Sequence, residues 1–192
     1  FDALIHFAAF KSVSESVQHP RRYYRNNLGS LVNLLDACHE KGVKDIVFSS
    51  SCSVYGTPAH LPVHEDIILP EAESPYGNTK QICEEMLRDA CAASPDMNVI
   101  ALRYFNPVGA HDSARIGEYP LSVPTNLFPV VMQTASGKRS GMQVFGDDYD
   151  TPDGSCIRDY IHVSDIARAH IDALQRITGC RMKSPFEIFN LG

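Results

Sequence analysis

The chain of 192 residues contains no tryptophan, no long apolar run and no excess of basic charge. No apolar run approaches the about 18 residues that suggest a membrane span, so we expect no membrane partner. The net charge of −6 argues against a nucleic-acid partner, because proteins that bind nucleic acids usually carry a basic face. With 44% hydrophobic and 21% charged residues, the composition is typical of a globular protein.

Cysteine pairs and metal-ligand clusters are also lacking. The six cysteines include no C-x-x-C pair and no zinc-finger spacing with histidine, and we predict no metal site. His60 and His64 are four positions apart, but they lie in a proline-flanked loop where no helix is expected. Cys38 and Cys83 fall among the apolar residues of predicted helices, which favours buried thiols and a reducing, cytoplasmic location.

Strand and helix patterns alternate along the chain. This order predicts an α/β fold, with a parallel sheet, right-handed crossovers and helices on both faces. The predicted strands are residues 3–7, 45–48, 99–104, 143–145 and 186–191, and the predicted helices are residues 21–39, 76–91, 126–136 and 163–177. Residues 49–74, rich in Ser, Gly and Pro, are predicted to be a loop.

Three segments follow predicted strands and therefore meet at one edge of the sheet. They are residues 7–11, 49–56 and 105–110. Ligands of parallel α/β sheets bind beyond the carboxyl ends of the strands, so this edge is the expected binding site.

Tyr76 and Lys80 are one helical turn apart, just after Pro75. This spacing places the two side chains on one helix face, about 5–6 Å apart at Cβ. A neighbouring ammonium lowers the pKa of a phenol below about 10, which suits a general base. Ser51, at a strand end, is a candidate donor to a substrate oxygen. Tyr-x-x-x-Lys alone is a weak pattern, and an exposed pair is the alternative reading.

A further set of segments carries a resemblance to a known family. The segments are I-H-F-A-A-F-K-S-V, Y-Y-R-N-N-L-G-S, F-S-S-S-C-S-V-Y-G, S-P-Y-G-N-T-K, L-R-Y-F-N-P-V-G-A-H, V-P-T-N-L-F-P and R-D-Y-I-H-V-S-D. On these residues, the chain resembles the extended short-chain dehydrogenase/reductase family over essentially its whole length. The resemblance implies a Rossmann-like sheet with flanking helices. Residues 1–107 would form the catalytic half of the NAD-binding domain, and residues 108–192 would contribute to a smaller substrate lobe and return to the sheet.

Within that family, the chain is similar to enzymes that interconvert UDP-glucose and UDP-galactose by NAD-dependent hydride transfer at carbon 4, through a 4-keto intermediate. The resemblance implies that Tyr76 is the base, that Lys80 holds the cofactor ribose and that Ser51 binds the 4-oxygen. The implied cofactor contacts are Phe7, Ala8, Ala9, Phe10, Lys11, Asn26, Ser49, Ser51, Tyr76, Lys80, Tyr104 and Phe105. The implied substrate contacts are Lys11, Ser51, Tyr76, Asn106, Asn126, Leu127, Gln143, Val144, Phe145 and Arg158.

The residues alone leave other readings open. Arg158 is otherwise an ion-pair partner for Asp159 or Asp165, Asn126 a helix cap and Phe105 a core residue. The family also contains dehydratases, decarboxylases and other epimerases of nucleotide sugars, and a non-catalytic scaffold with the same fold is a further alternative. Dehydratases place Asp-Glu after the strand-end Ser or Thr, whereas Cys52 and Ser53 follow Ser51 here, which disfavours elimination.

The chain departs from the family at the cofactor fingerprint. It has no G-x-x-G-x-x-G after the first strand and no acidic residue for the adenosine ribose, so NAD and NADP are not distinguished. Residues 1–7 are already typical of a strand inside a sheet. We therefore expect an internal piece of a longer enzyme, which by itself would bind NAD poorly and be inactive. The family commonly dimerises through helices that flank the sheet, which here implies a homodimer through residues 21–40 and 76–91.

Overall fold

The computed structural model of the chain describes residues 1–118, 123–124 and 126–192. Thr125 of the V-P-T-N-L-F-P segment lies outside the described residues. The chain divides into two compact units, which we call the first unit (residues 1–104 and 168–191) and the second unit (residues 105–167 and Gly192). Among the described residues, no helix has both the length and the apolar character that crossing a bilayer requires.

The helices and strands follow one another in the predicted alternation. The strands are β1 (Ala3–His6), β2 (Asp45–Ser51), β3 (Asn98–Tyr104), β4 (Asn106–Val108), β5 (Tyr160–His162) and β6 (Phe186–Leu191). The helices are α1 (Val13–Gln18), α2 (Pro20–Lys41), α3 (Pro75–Ala93), α4 (Leu127–Ala135) and α5 (Val163–Thr178), with a 3-10 helix at Cys52–Tyr55. The predicted helices are confirmed, whereas the sequence analysis missed α1, β4, β5 and the 3-10 helix.

The first unit contains a four-stranded sheet in the order β1-β2-β3-β6, in which all neighbours are parallel. Phe48 of β2 packs in one apolar cluster with Leu31 of α2 and Leu87 of α3. Val47, whose side chain points to the opposite face, packs with Ala173 and Ile177 of α5. This period-two alternation confirms the predicted parallel sheet with helices on both faces.

Strand β2 is longer than predicted. Ser49, Ser50 and Ser51 were expected in a loop, but they pair with Leu102, Arg103 and Tyr104 of β3. Serine has little intrinsic preference for strands, and the ladder with a neighbouring strand overrides that preference. The prediction of a loop from residue 49 is therefore wrong by three residues, and the consequence is that Ser51 ends the strand at the edge of the sheet.

The second unit holds α4 and a two-stranded sheet in which β4 pairs with β5 in parallel. The predicted strand at residues 143–145 is wrong, because these residues form no regular structure and Val144 and Phe145 are 69% and 81% exposed. A three-residue segment does not form a strand unless a partner satisfies its backbone groups. Strands β4 and β5 are equally short, but each provides the other's partner.

We expect the Leu87→Ala substitution to lower the free energy of unfolding by about 3 kcal/mol, because Leu87 is fully buried between α3 and the sheet and its loss leaves a cavity. Urea unfolding followed by circular dichroism measures this. Asp89→Ala, at an exposed position half a turn further along α3, is the matched control and should change stability by less than about 0.5 kcal/mol. Equal losses in the two variants would contradict this packing.

Candidate active site

Local sequence signals fix the start of α3 and therefore the position of Tyr76. The Ser74 hydroxyl accepts a hydrogen bond from the Gly77 backbone N–H at 3.1 Å, and Pro75 occupies the first helical turn. A Cβ on Gly77 would lie 2.9 Å from the Ser53 carbonyl oxygen. Gly77 therefore lets the start of α3 approach the turn that follows β2, and this approach brings Tyr76 towards Ser51.

Ser51 lies near enough to Tyr76 to influence the pKa of its phenol. Burial is the largest influence and raises the pKa of Tyr76 above its usual value, whereas the neighbouring Ser51 hydroxyl acts in the opposite direction. The expectation that Lys80 holds the pKa of Tyr76 below 10 is thus wrong for the protein without ligands. Desolvation of the phenolate outweighs the favourable contacts.

Ser51 is oriented by Ser53, a residue that the sequence analysis did not select. The Ser51 oxygen accepts a hydrogen bond from the Ser53 backbone N–H at 3.2 Å and another from the Ser53 hydroxyl at 2.9 Å. Both lone pairs of Ser51 are therefore engaged, and its hydrogen is available to Tyr76 or to a substrate oxygen. A serine hydroxyl in a turn often bonds the backbone N–H two residues later, so the serine-rich segment contained part of this information.

Lys80 is a buried cation on the same face of α3. Only 4% of it is exposed, and its Nζ donates a hydrogen bond to the Ser49 carbonyl at 2.6 Å. The ammonium lies 6.0 Å from the centre of the Tyr76 ring and 4.8 Å from that of Phe48. Burial lowers the pKa of Lys80 to about 8. The structure thus brings the three predicted catalytic residues together.

The segment after β1 is held by Asn27, the neighbour of the predicted cofactor contact Asn26. The Asn27 side chain accepts a hydrogen bond from the Phe10 N–H at 2.9 Å and donates to the Phe10 carbonyl at 3.0 Å. It also donates to Thr79 of α3 at 3.1 Å, and Asn26 in turn donates to Asn27 at 3.0 Å. Asn27, which is 3% exposed, therefore links the β1 segment to α3, and Asn26 is left half-buried beside it.

Aromatic residues collect at the same end of the sheet, on the side of α5. The Tyr104 hydroxyl lies 2.5 Å from Nε2 of His170, and the Phe7 ring lies 4.6 Å from the His170 ring, centre to centre. Burial raises the pKa of Tyr104 to about 12, and the neighbouring Ser49 acts in the opposite direction. His170 is 2% exposed and was not predicted as part of the site.

The residues predicted to contact the nucleotide part of the substrate belong to the second unit, as does Phe105. Asn106 donates to the Asp159 carbonyl at 2.6 Å. Arg158 is exposed and donates to the Ile157 carbonyl at 3.3 Å; among the described residues it forms no ion pair with Asp159 or Asp165. Asn126 precedes α4, but within the described part of the chain its side chain does not cap the helix. Exposed side chains also include Leu127, Gln143, Val144 and Phe145.

The family model described as the NAD dependent epimerase/dehydratase family matches residues 1–192. The chain belongs to this family. It is 50% identical over 195 residues to the UDP-glucose 4-epimerase of Mus musculus, with all of this chain and 54% of that protein covered.

Solved structures give the same result. A UDP-glucose 4-epimerase from Stenotrophomonas maltophila, with bound NAD and formylated UDP-arabinopyranose, is 48% identical with a TM-score of 0.93, over 100% of this chain and 56% of that one. The enzyme from Bifidobacterium longum, in complex with NAD+ and UDP, is 47% identical with a TM-score of 0.93 and the same coverage. The chain therefore spans about half the length of the relatives that it matches.

The residues at the sheet edge fit the nicotinamide riboside part of a dinucleotide. Lys80 is a buried ammonium that, among the described residues, has no carboxylate within ion-pair distance, and its donors suit ribose hydroxyl groups. Ala8 and Ala9 let a ligand approach the backbone after β1. The described residues contain no cluster of three or more His, Cys, Asp or Glu side chains suited to a metal ion.

Because burial lowers the pKa of Lys80 from 10.5 to about 8, the lysine should make stability depend on pH. Between these values the folded chain has lost the proton and the unfolded chain still holds it, so stability rises with pH in this window. Relative to Lys80→Met, the free energy of unfolding of the wild type should increase by up to about 3 kcal/mol from pH 8 to 10.5. Urea titrations at several pH values test this, and parallel curves for the two proteins would contradict it.

Proposed function

We propose that the whole protein interconverts UDP-glucose and UDP-galactose by NAD-dependent hydride transfer at carbon 4. The observation that carries this proposal is the meeting of the Tyr76 phenol, the Ser51 hydroxyl and the buried Lys80 ammonium at one edge of the sheet. About 50% identity to UDP-glucose 4-epimerases supports the choice of substrate. NAD bound to the similar crystal structures supports the cofactor.

In this mechanism, Tyr76 removes the proton from the 4-hydroxyl group of the sugar, and Ser51 donates a hydrogen bond to the same oxygen. When bound, NAD supplies the hydride acceptor and a positive ring charge that lowers the pKa of a neighbouring phenol. Lys80 would hold the cofactor ribose through donors that do not bond Ser49. Once the 4-keto sugar presents its opposite face, Tyr76 would return the proton to the 4-oxygen as carbon 4 is reduced.

The sequence beyond Ser51 supports epimerisation over elimination. Dehydration requires a further acid and base beside the ring carbons, and the positions that would carry them hold Cys52 and Ser53. The product that we expect in the assay is therefore the sugar epimer and not a deoxysugar. We also propose that the nucleotide part of the substrate contacts Asn106, Asn126, Leu127, Gln143, Val144, Phe145 and Arg158.

The proposal extends to location and assembly. The predicted cytoplasmic location agrees with the chemistry of the six free cysteines, of which Cys38, Cys83 and Cys91 are buried. The proposed homodimer uses α2 and α3, which pack side by side on one face of the sheet. Paired helices of this kind suit a four-helix interface between two copies.

In the full-length protein, Tyr76→Phe should lower kcat for UDP-galactose epimerisation by about a thousandfold or more, because the base is lost while the ring remains. A coupled assay for UDP-glucose measures the rate. Tyr24→Phe removes the same hydroxyl group from α2, where the phenol accepts a hydrogen bond from Asn78, and should leave the rate near that of the wild type. Full activity of Tyr76→Phe would refute the assigned base.

Sedimentation velocity tests the dimer. Val32 is 43% exposed on α2, and Val32→Glu would bury a charge in an interface formed by α2 and α3. We expect the wild type to sediment as a dimer and Val32→Glu to shift towards the monomer. Val17→Glu, at a 60% exposed position on α1, is the control and should remain dimeric. A monomeric wild type would contradict the proposed assembly.

A further inference from the structure

A buried ion pair lies next to Ser51, on the face of the sheet that α3 covers. Arg103 of β3 and Glu84 of α3 are each 1% exposed. The guanidinium donates two hydrogen bonds to the carboxylate, from Nε to Oε1 at 3.0 Å and from Nη2 to Oε2 at 2.7 Å. Burying two charges costs so much desolvation free energy that such a pair is weak evidence for stability. Its contacts point to another role.

Both ends of this pair reach the turn that carries Ser51. The Ser50 hydroxyl donates to Oε1 of Glu84 at 2.5 Å, and Nη1 of Arg103 donates to the Tyr55 hydroxyl at 2.7 Å. Ser50 immediately precedes Ser51, and Tyr55 ends the 3-10 helix for which Ser51 is the N-cap. The ion pair therefore holds the turn on both sides of Ser51.

The same network is anchored to the rest of the sheet and to the helix of the proposed base. The Tyr55 hydroxyl donates to Oδ1 of Asn190 on β6 at 2.6 Å. Glu84 lies one turn after Lys80 and two turns after Tyr76 on α3, and all three share a helix face. One carboxylate thus connects the helix that carries Tyr76 with the turn that carries Ser51.

We propose that Glu84 and Arg103 are positioning residues, which hold the turn that carries Ser51 against α3 and so set the geometry in which the Tyr76 phenol gives and takes its proton. The role in proton transfer rests on the proposed function, whereas the contacts that hold the turn belong to the fold itself. Proton transfer tolerates little misalignment, and displacements of about 1 Å cost up to about a hundredfold in rate.

The test is the titration of the Tyr76 phenol in the full-length protein labelled with [13Cζ]tyrosine, its resonance assigned with Tyr76→Phe. Ser51→Ala removes the neighbouring hydroxyl group and sets the scale of the upward shift. Ser50→Ala removes the contact with Glu84, and Tyr55→Phe removes the contacts with Arg103 and Asn190, while both keep the two residues of the ion pair. Each variant should raise the Tyr76 midpoint by about half a pH unit.

The matched control is Asn98→Ala. Asn98 donates to Asp45 at 3.0 Å, a polar contact between the same strands β2 and β3 but at their amino ends. We expect it to leave the Tyr76 midpoint unchanged, even where it lowers the melting temperature. If the network served stability alone, Ser50→Ala and Tyr55→Phe would lower the melting temperature without moving the Tyr76 midpoint.

Turnover is the second readout. Ser50→Ala and Tyr55→Phe should lower kcat about tenfold with the KM for the UDP-sugar unchanged, because alignment and not binding is lost. Wild-type midpoints in both variants would overturn the inference. Full activity of Tyr76→Phe would overturn the proposed function instead, and the titration would still decide the alignment. If Tyr55→Phe fails to fold, Ser50→Ala decides alone, since it deletes a single oxygen.

Discussion

The hydrogen bond from the Lys80 ammonium to the Ser49 carbonyl is the contact on which the site depends. It joins the second turn of α3 to the last residues of β2, and therefore brings the start of the helix over the end of the strand. The Ser74 cap and the close approach of Gly77 to Ser53 act at the same junction. Tyr76 and Ser51 meet because these local constraints agree.

Burial at this junction has an electrostatic consequence that contact geometry alone does not reveal. It lowers the pKa of Lys80 to about 8, so that the lysine is still mostly protonated at pH 7, and it raises that of Tyr76, so that the phenol stays neutral. A cationic ligand ring would favour the phenolate, whereas the hydroxyl groups of a ribose would take up the lysine's donors. The pKa shifts of Tyr76 and Lys80 therefore suit a site that binds the proposed cofactor better than a site that works without a cofactor.

The proposed roles differ between the two units. The first unit contains Tyr76, the proposed proton-transfer group, and the residues after β1. Contacts from Asn27, Ser53 and the Glu84–Arg103 pair support the geometry of this part. The second unit contains the residues proposed for the nucleotide, most of which are exposed. The chain spans about half of its relatives' length, and the substrate contacts remain proposals for the whole protein.

The sequence by itself determined the parallel α/β order, the central helices and the Tyr76–Lys80 pair, because apolar periodicity and helical spacing are local properties that a single segment carries. It also carried the family resemblance. Tertiary structure decided the rest. Ser49–Ser51 extend β2 only because β3 lies beside them, whereas residues 143–145 form no strand. The pKa of Tyr76 rises although a lysine lies nearby, since desolvation depends on every neighbour that excludes water and not on the one residue a helical turn away.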